Sequence, residues 1–140
     1  LLMLAVIPAI GEELIFRGCL QRVFTRWIGN YDWGIWLTAI IFSAIHIQFF
    51  GFLPRMLLGA LFGYLLVWSK SLWLPMLGHF INNATAVIMA YVYQQKGISL
   101  DKLDQPELQA WPIYLISFAA TSVWLWVFYK KSFKQKSELI

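Results

Sequence analysis

Few polar side chains interrupt the apolar runs of this chain, and those that do are of kinds that move protons and bind anions. Glu12 and Glu13 are followed one helical turn later by Arg17, His46 closes the run Phe42-Ser-Ala-Ile-His46, and His79 precedes Asn83 by four residues. A carboxylate with an imidazole can hold and deprotonate a water. An imidazole and a side-chain amide on one helix face can together donate two hydrogen bonds to an oxygen that gains negative charge. A base for water and a cradle for an oxyanion are the requirements of hydrolysis, and they fit redox chemistry or group transfer less naturally.

The elements that must position these groups are helices in lipid. Hydrophobic residues make up 60% of the 140-residue chain and charged residues 13%, against about 25% charged in ordinary soluble domains. At about 20 residues per span, the length allows four to six spans and no separate soluble domain. The expected fold is therefore all-α: a polytopic transmembrane helical bundle of about five spans, residues 1–140 forming a single domain. The segments are 1–27, 34–50, 52–68, 71–93 and 111–129, with Gly29-Asn30-Tyr31-Asp32, Gly51 and Pro54 as punctuation. The polar stretch 94–109 and a basic tail, 130–140, complete the chain. Gly59 and Gly63 form a GxxxG whose role is helix packing. The first residues lack the basic region and cleavage site of a signal peptide, and the chain is expected to begin inside a longer protein. The lone cysteine, Cys19, cannot form an internal disulfide.

Basic residues set the orientation. Arg22, Arg26, Lys70, Lys130, Lys131, Lys134 and Lys136 fall on one side, and Arg55, Lys96 and Lys102 on the other, so the first side and the C-terminus are expected in the cytoplasm. Topology and contact with anionic lipid account for the net charge of +4, and no nucleic acid is implied. Counted from the cytoplasmic ends at 1.5 Å per residue, His46, His79 and Glu12 lie about 18, 12 and 15 Å deep on three helices. A charged side chain costs about 2.5–3.5 kcal/mol at the centre of a membrane helix on insertion scales, so such residues normally face partners and mark a site.

Neighbouring glutamates point about 100° apart on a helix, so Glu12 and Glu13 take different roles. Glu13 pairs with Arg17 in the favourable acid-first order and is structural support. Glu12 is left as the free acid, and Pro8 and Gly11 loosen the helix beside it. His79 and Asn83 share a face as oxyanion donors, while Asn82 points elsewhere and serves packing.

Glu12-Glu13-Leu-Ile-Phe-Arg17, Phe42-Ser-Ala-Ile-His46 and His79-Phe-Ile-Asn-Asn83 resemble, in order, the EExxxR, FxxxH and HxxxN motifs of the CPBP intramembrane proteases. That family comprises the type II CAAX-processing endopeptidases, Rce1-like, and the related bacteriocin-processing and immunity proteins. The resemblance covers about residues 7–89 and implies the conserved C-terminal core of an approximately eight-span fold. It further implies that Glu12 and His46 activate water, that His79 and Asn83 hold the oxyanion, and that Phe42 supports the second motif. The implied substrate is a peptide or protein, lipidated at its C-terminus in the eukaryotic members. The implied location is the plasma membrane of a bacterium, with the site open to the cytoplasm. The family's metalloendopeptidase label keeps zinc open, with Glu12, His46 and His79 as its ligands. The metal-free reading is preferred, because Asn83 beside His79 makes better sense as a second oxyanion donor. HExxH, GxSxG and GxGD signatures are missing from the sequence. The rivals are a non-catalytic immunity or peptide-binding protein and a transporter or proton relay.

Overall fold

The structure is a computed structural model that describes residues 1–99 and 111–137. The described residues are helical throughout, without a strand. Helical backbone is continuous from Leu2 to Ile28 but changes its winding: π-wound Leu2–Val6, α1 (Ile7–Glu13), π-wound Leu14–Leu20, then α2 (Gln21–Ile28). Pro8 has no N–H to donate and so breaks the hydrogen-bond ladder just where the winding changes from π to α. After the Gly29 turn come α3 (Tyr31–Ala44), α4 (Phe52–Ser69), α5 (Trp73–Gln95) and α6 (Trp111–Ser137). Asn30 caps α3, its side-chain oxygen accepting from the backbone N–H of Asp32 at 2.8 Å and of Trp33 at 3.3 Å, which satisfies two of the helix's orphan donors.

The chain divides into two units, Leu1–Val87 and Ile88–Ile140. In the first, α3 packs on both α2 and α4, with Ile35, Ala39 and Ala60 as the apolar centre. Close approach explains the small residues at these crossings. A Cβ at Gly34 would come within 2.9 Å of the Thr25 backbone nitrogen. One at Gly63 would come within 2.8 Å of Ile35 Cγ2 and 2.9 Å of Gln21 Oε1. In the second unit α6 carries local contacts, the Trp124 and Phe128 rings stacking at 5.6 Å and Lys130 Nζ lying 4.1 Å above the Trp126 ring.

Two boundaries differ from expectation. The second segment was expected over 34–50, but α3 ends at Ala44. There the His46 and Ile47 N–H groups bond to Ser43 and Ala44 at 3.3 and 3.1 Å, the Ser43 hydroxyl donates to the Phe52 carbonyl at 2.6 Å, and Ile47 takes a left-handed φ of 52°. These bonds turn the chain back into α4, so an apolar run that reads as helix is a reversal. At the other end α6 continues to Ser137 rather than stopping at Tyr129, since the lysine-rich continuation holds good helix formers and no breaker. Of the described helices, α4 is the one long and apolar enough to cross a membrane, because Glu12, Glu13 and Arg17 interrupt the first helical stretch, α3 is short, and α5 carries His79, Asn82 and Asn83. The polar residues 100–110, including Asp101, Asp104 and Glu107, lie outside the described residues.

Candidate active site

Arg17 is the centre of a polar cluster with no access to solvent. Its side chain is fully buried, as is that of Glu13, and the two meet with Nη1 2.9 Å from Glu13 Oε1. The second arm of the guanidinium donates to the Gly59 carbonyl of α4 at 2.9 Å. The rings of Phe42 and Phe62 lie 4.8 and 5.5 Å from its central carbon, so the cation sits among π faces as well as oxygens. One turn on, Gln21 Nε2 donates to the Gly63 carbonyl at 3.3 Å. Two donors four residues apart thus reach two carbonyls four residues apart, a pair of rungs between the first helical stretch and α4.

The same Glu13 oxygen also accepts from His79 Nδ1 at 2.8 Å. A carboxylate on Nδ1 fixes the imidazole's orientation and leaves Nε2 for other work. His79 Nε2 lies 3.7 Å from Glu12 Oε2, an atom that is itself buried with no hydrogen-bond partner among the described residues. Glu12 and Glu13 therefore meet His79 from two sides, one on each ring nitrogen. Phe62 stacks on the imidazole at 5.5 Å, with 22° between planes. Phe42 meets it edge-on at 5.9 Å, and Phe16 meets Phe42 in the same manner at 5.1 Å.

His46 occupies the reversal after α3 and not the middle of a helix, so the depth counted from Gly34 does not apply to it. Its Nδ1 lies 2.8 Å from the Phe42 carbonyl; because a carbonyl only accepts, Nδ1 carries the proton and Nε2 is free. The His46 ring packs edge-on against Phe42 at 5.1 Å, so both histidines touch one phenyl ring. Asn83 stands one turn beyond His79 on α5. Its Oδ1 accepts from Asn82 Nδ2 at 3.3 Å, which leaves the Asn83 amide N–H groups available.

The structure thus brings Glu12, Glu13, Arg17, Phe42 and His79 into one cluster, attaches His46 to it through Phe42, and keeps Asn83 on the adjoining turn of α5. Among the described residues no three His, Cys, Asp or Glu side chains have the arrangement of a metal site. In both histidines Nδ1 is the engaged nitrogen, on the Phe42 carbonyl in His46 and on Glu13 in His79. Sequence reasoning missed Gln21, Phe16, Phe62 and the carbonyls of Gly59 and Gly63. The signal was present: Gly59 and Gly63 share the four-residue spacing of Arg17 and Gln21.

An all-helical protein with a buried Glu–Arg–His cluster opening onto a second carboxylate is the class that these observations define. The family model for the type II CAAX prenyl endopeptidases, Rce1-like, matches residues 1–85, and the chain belongs to this family of membrane-embedded proteases. It is 28% identical over 109 residues to the uncharacterized protein YpbD of Bacillus subtilis (strain 168), a match covering 75% of this chain and 51% of that relative. The chain accordingly spans about half the length of this curated relative. No solved structure matches it.

Proposed function

We propose that the chain is the catalytic core of an intramembrane endopeptidase that hydrolyses a peptide bond with a carboxylate-activated water. The observation that carries this reading is His79 held by Glu13 on one nitrogen and facing the unpartnered oxygen of Glu12, 3.7 Å away, on the other. That separation is too long for a direct bond, and Glu12 is 31% exposed, which leaves its carboxylate to meet a water. Glu12 takes a proton from the water as it adds to the carbonyl carbon, and His46, through its free Nε2, helps to orient it. The tetrahedral oxyanion accepts from Asn83 Nδ2 and, with the ring protonated, from His79 Nε2. When the C–N bond breaks, the proton on Glu12 passes to the leaving amine, so one water and one amide become an acid and an amine. Glu13 and Arg17 hold His79 and do not touch the substrate.

Placement in the bilayer is part of the same reading. Many apolar side chains face outward, among them Trp27, Trp73 and Phe118, as lipid contact requires. The basic residues of the Arg22, Lys70 and Lys130 side support a multi-pass topology with that side and the C-terminus in the cytoplasm. Next to the site an apolar cavity of about 270 Å³ is walled by Val6, Ala9 and Ile10 on one side and Trp73, Met76 and Phe80 on the other. Ala9 precedes Glu13 by one turn, and Met76 and Phe80 flank His79. Such a cavity takes an apolar substituent of the peptide, including a lipid at its C-terminus.

The test is cleavage of a defined peptide pool by purified protein, with product mapping. Glu12→Gln keeps the shape of the side chain and loses its basicity, and general base catalysis is worth about 10²–10⁴ in rate. A loss of that size with an unchanged circular dichroism spectrum is expected. Turnover near wild type would overturn the mechanism.

A further inference from the structure

A second cavity, of about 190 Å³, lies away from Glu12 and His79, between α2, the first residue of α3 and the last turns of α4. It is lined by Arg22, Thr25 and Arg26 of α2, Tyr31 of α3 and Leu66 and Val67 of α4, almost entirely through carbon, so the arginines border it with their stems. The two arginines stand one turn apart on α2, and neither guanidinium has an ion pair or hydrogen bond to a described residue. Gln21 also lines the cavity. It is 3% exposed, and while its Nε2 holds the Gly63 carbonyl, its Oε1 is buried with no partner. Two unengaged cations therefore border an apolar cavity.

We infer that this cavity binds the headgroup of an anionic glycerophospholipid. Arginine presents a planar fork of donors that matches phosphate oxygens, and two of them a turn apart can clasp one phosphate. Phosphatidylcholine carries a compensating cation on the same headgroup, which the two arginines would repel, whereas an anionic headgroup carries none. Leu66 and Val67 receive the glycerol and first acyl carbons, and a free inorganic phosphate gains nothing from them. The surroundings are those of a membrane surface: Trp27 and Trp33, exposed by 80% and 66%, flank the turn joining α2 to α3, as aromatic side chains do at headgroup level. Basic cavities between membrane helices on the cytoplasmic side are places where anionic lipid heads lodge. The inference needs the membrane placement but not the hydrolytic reading, and its test does not use activity.

Purified full chain in a neutral maltoside detergent is titrated with short-chain phosphatidylglycerol, with short-chain phosphatidylcholine and inorganic phosphate as comparators. Phosphatidylglycerol should bind more tightly than phosphatidylcholine, and millimolar phosphate should not displace it. Arg22→Gln with Arg26→Gln should weaken phosphatidylglycerol on the order of thirtyfold, the equivalent of about 1 kcal/mol for each arginine, and bring the two lipids level. Val67→Phe keeps both charges and fills the cavity, so it should weaken binding too; Lys130→Gln with Lys131→Gln should not. Equal affinity for the two lipids overturns the inference. So does full retention of binding by Val67→Phe, which would mean diffuse attraction, or displacement by phosphate as effective as by lipid, which would mean a site for a soluble anion.

Discussion

The Glu13–His79 side of the site and the His46 side are held by opposite means. On the first, Glu13, Arg17 and His79 are 0%, 0% and 4% exposed, and every bond that positions them, apart from Glu13 to Arg17, crosses from one helix to another. On the second, His46 is fixed by a carbonyl of its own helix, and the residues after it, Ile47, Phe49 and Phe50, are 92%, 89% and 96% exposed. Cross-helix bonding ties the geometry of the cluster to the stability of the fold, whereas local bonding leaves it free to vary. Damage to the first side should therefore be read in stability, and damage to the second in rate.

The largest effect on stability is expected at Arg17. Arg17→Leu leaves Glu13 buried without its cation and strips the Gly59 carbonyl of a donor, and breaking such a pair costs about 3–5 kcal/mol. Denaturation in detergent would measure it; a loss under 1 kcal/mol would mean that the cluster is not what joins the helices. Gly63→Ala should cost about 1–3 kcal/mol, the range for overpacking, because the new methyl meets Ile35 and Gln21. Gly11→Ala should have the opposite sign: nothing lies within 4 Å of a Cβ there, and alanine favours helix by up to about 1 kcal/mol. If both glycines respond alike, close approach is not the reason for Gly63. The smallest loss of stability belongs to His46→Ala, about 1 kcal/mol for the one hydrogen bond that the half-buried ring makes to its own helix, while peptide turnover falls. A large loss of stability at His46 would erase the contrast between the two sides.

Much of this was legible in the residues. Spacing alone pairs Glu13 with Arg17 and separates both from Glu12, and the helical segments near α4 and α5 follow from apolar runs between turn residues. Two things were not. The end of α3 at Ala44 is set by the Ser43 hydroxyl reaching Phe52 and by Ile47 adopting a left-handed backbone, and neither is written in an apolar run such as 44–50. Nor does sequence spacing reveal that Glu13 serves Arg17 and His79 with one oxygen, because that depends on how α5 meets the first helical stretch.

The π-wound stretch Leu14–Leu20 lies between Glu12 and Glu13 before it and Arg22 and Arg26 after it on one rod. Its hydrogen bonds span five residues, as where the Gln21 N–H reaches the Phe16 carbonyl, so it holds more chain per turn than the α-helical pieces around it. That surplus acts as an angular shim. Rewinding it as ordinary helix with every residue kept would turn Arg22 and Arg26 relative to Glu12, whereas deleting an outward residue such as Ile15, which is 61% exposed, would remove the surplus and leave them close to their present bearing.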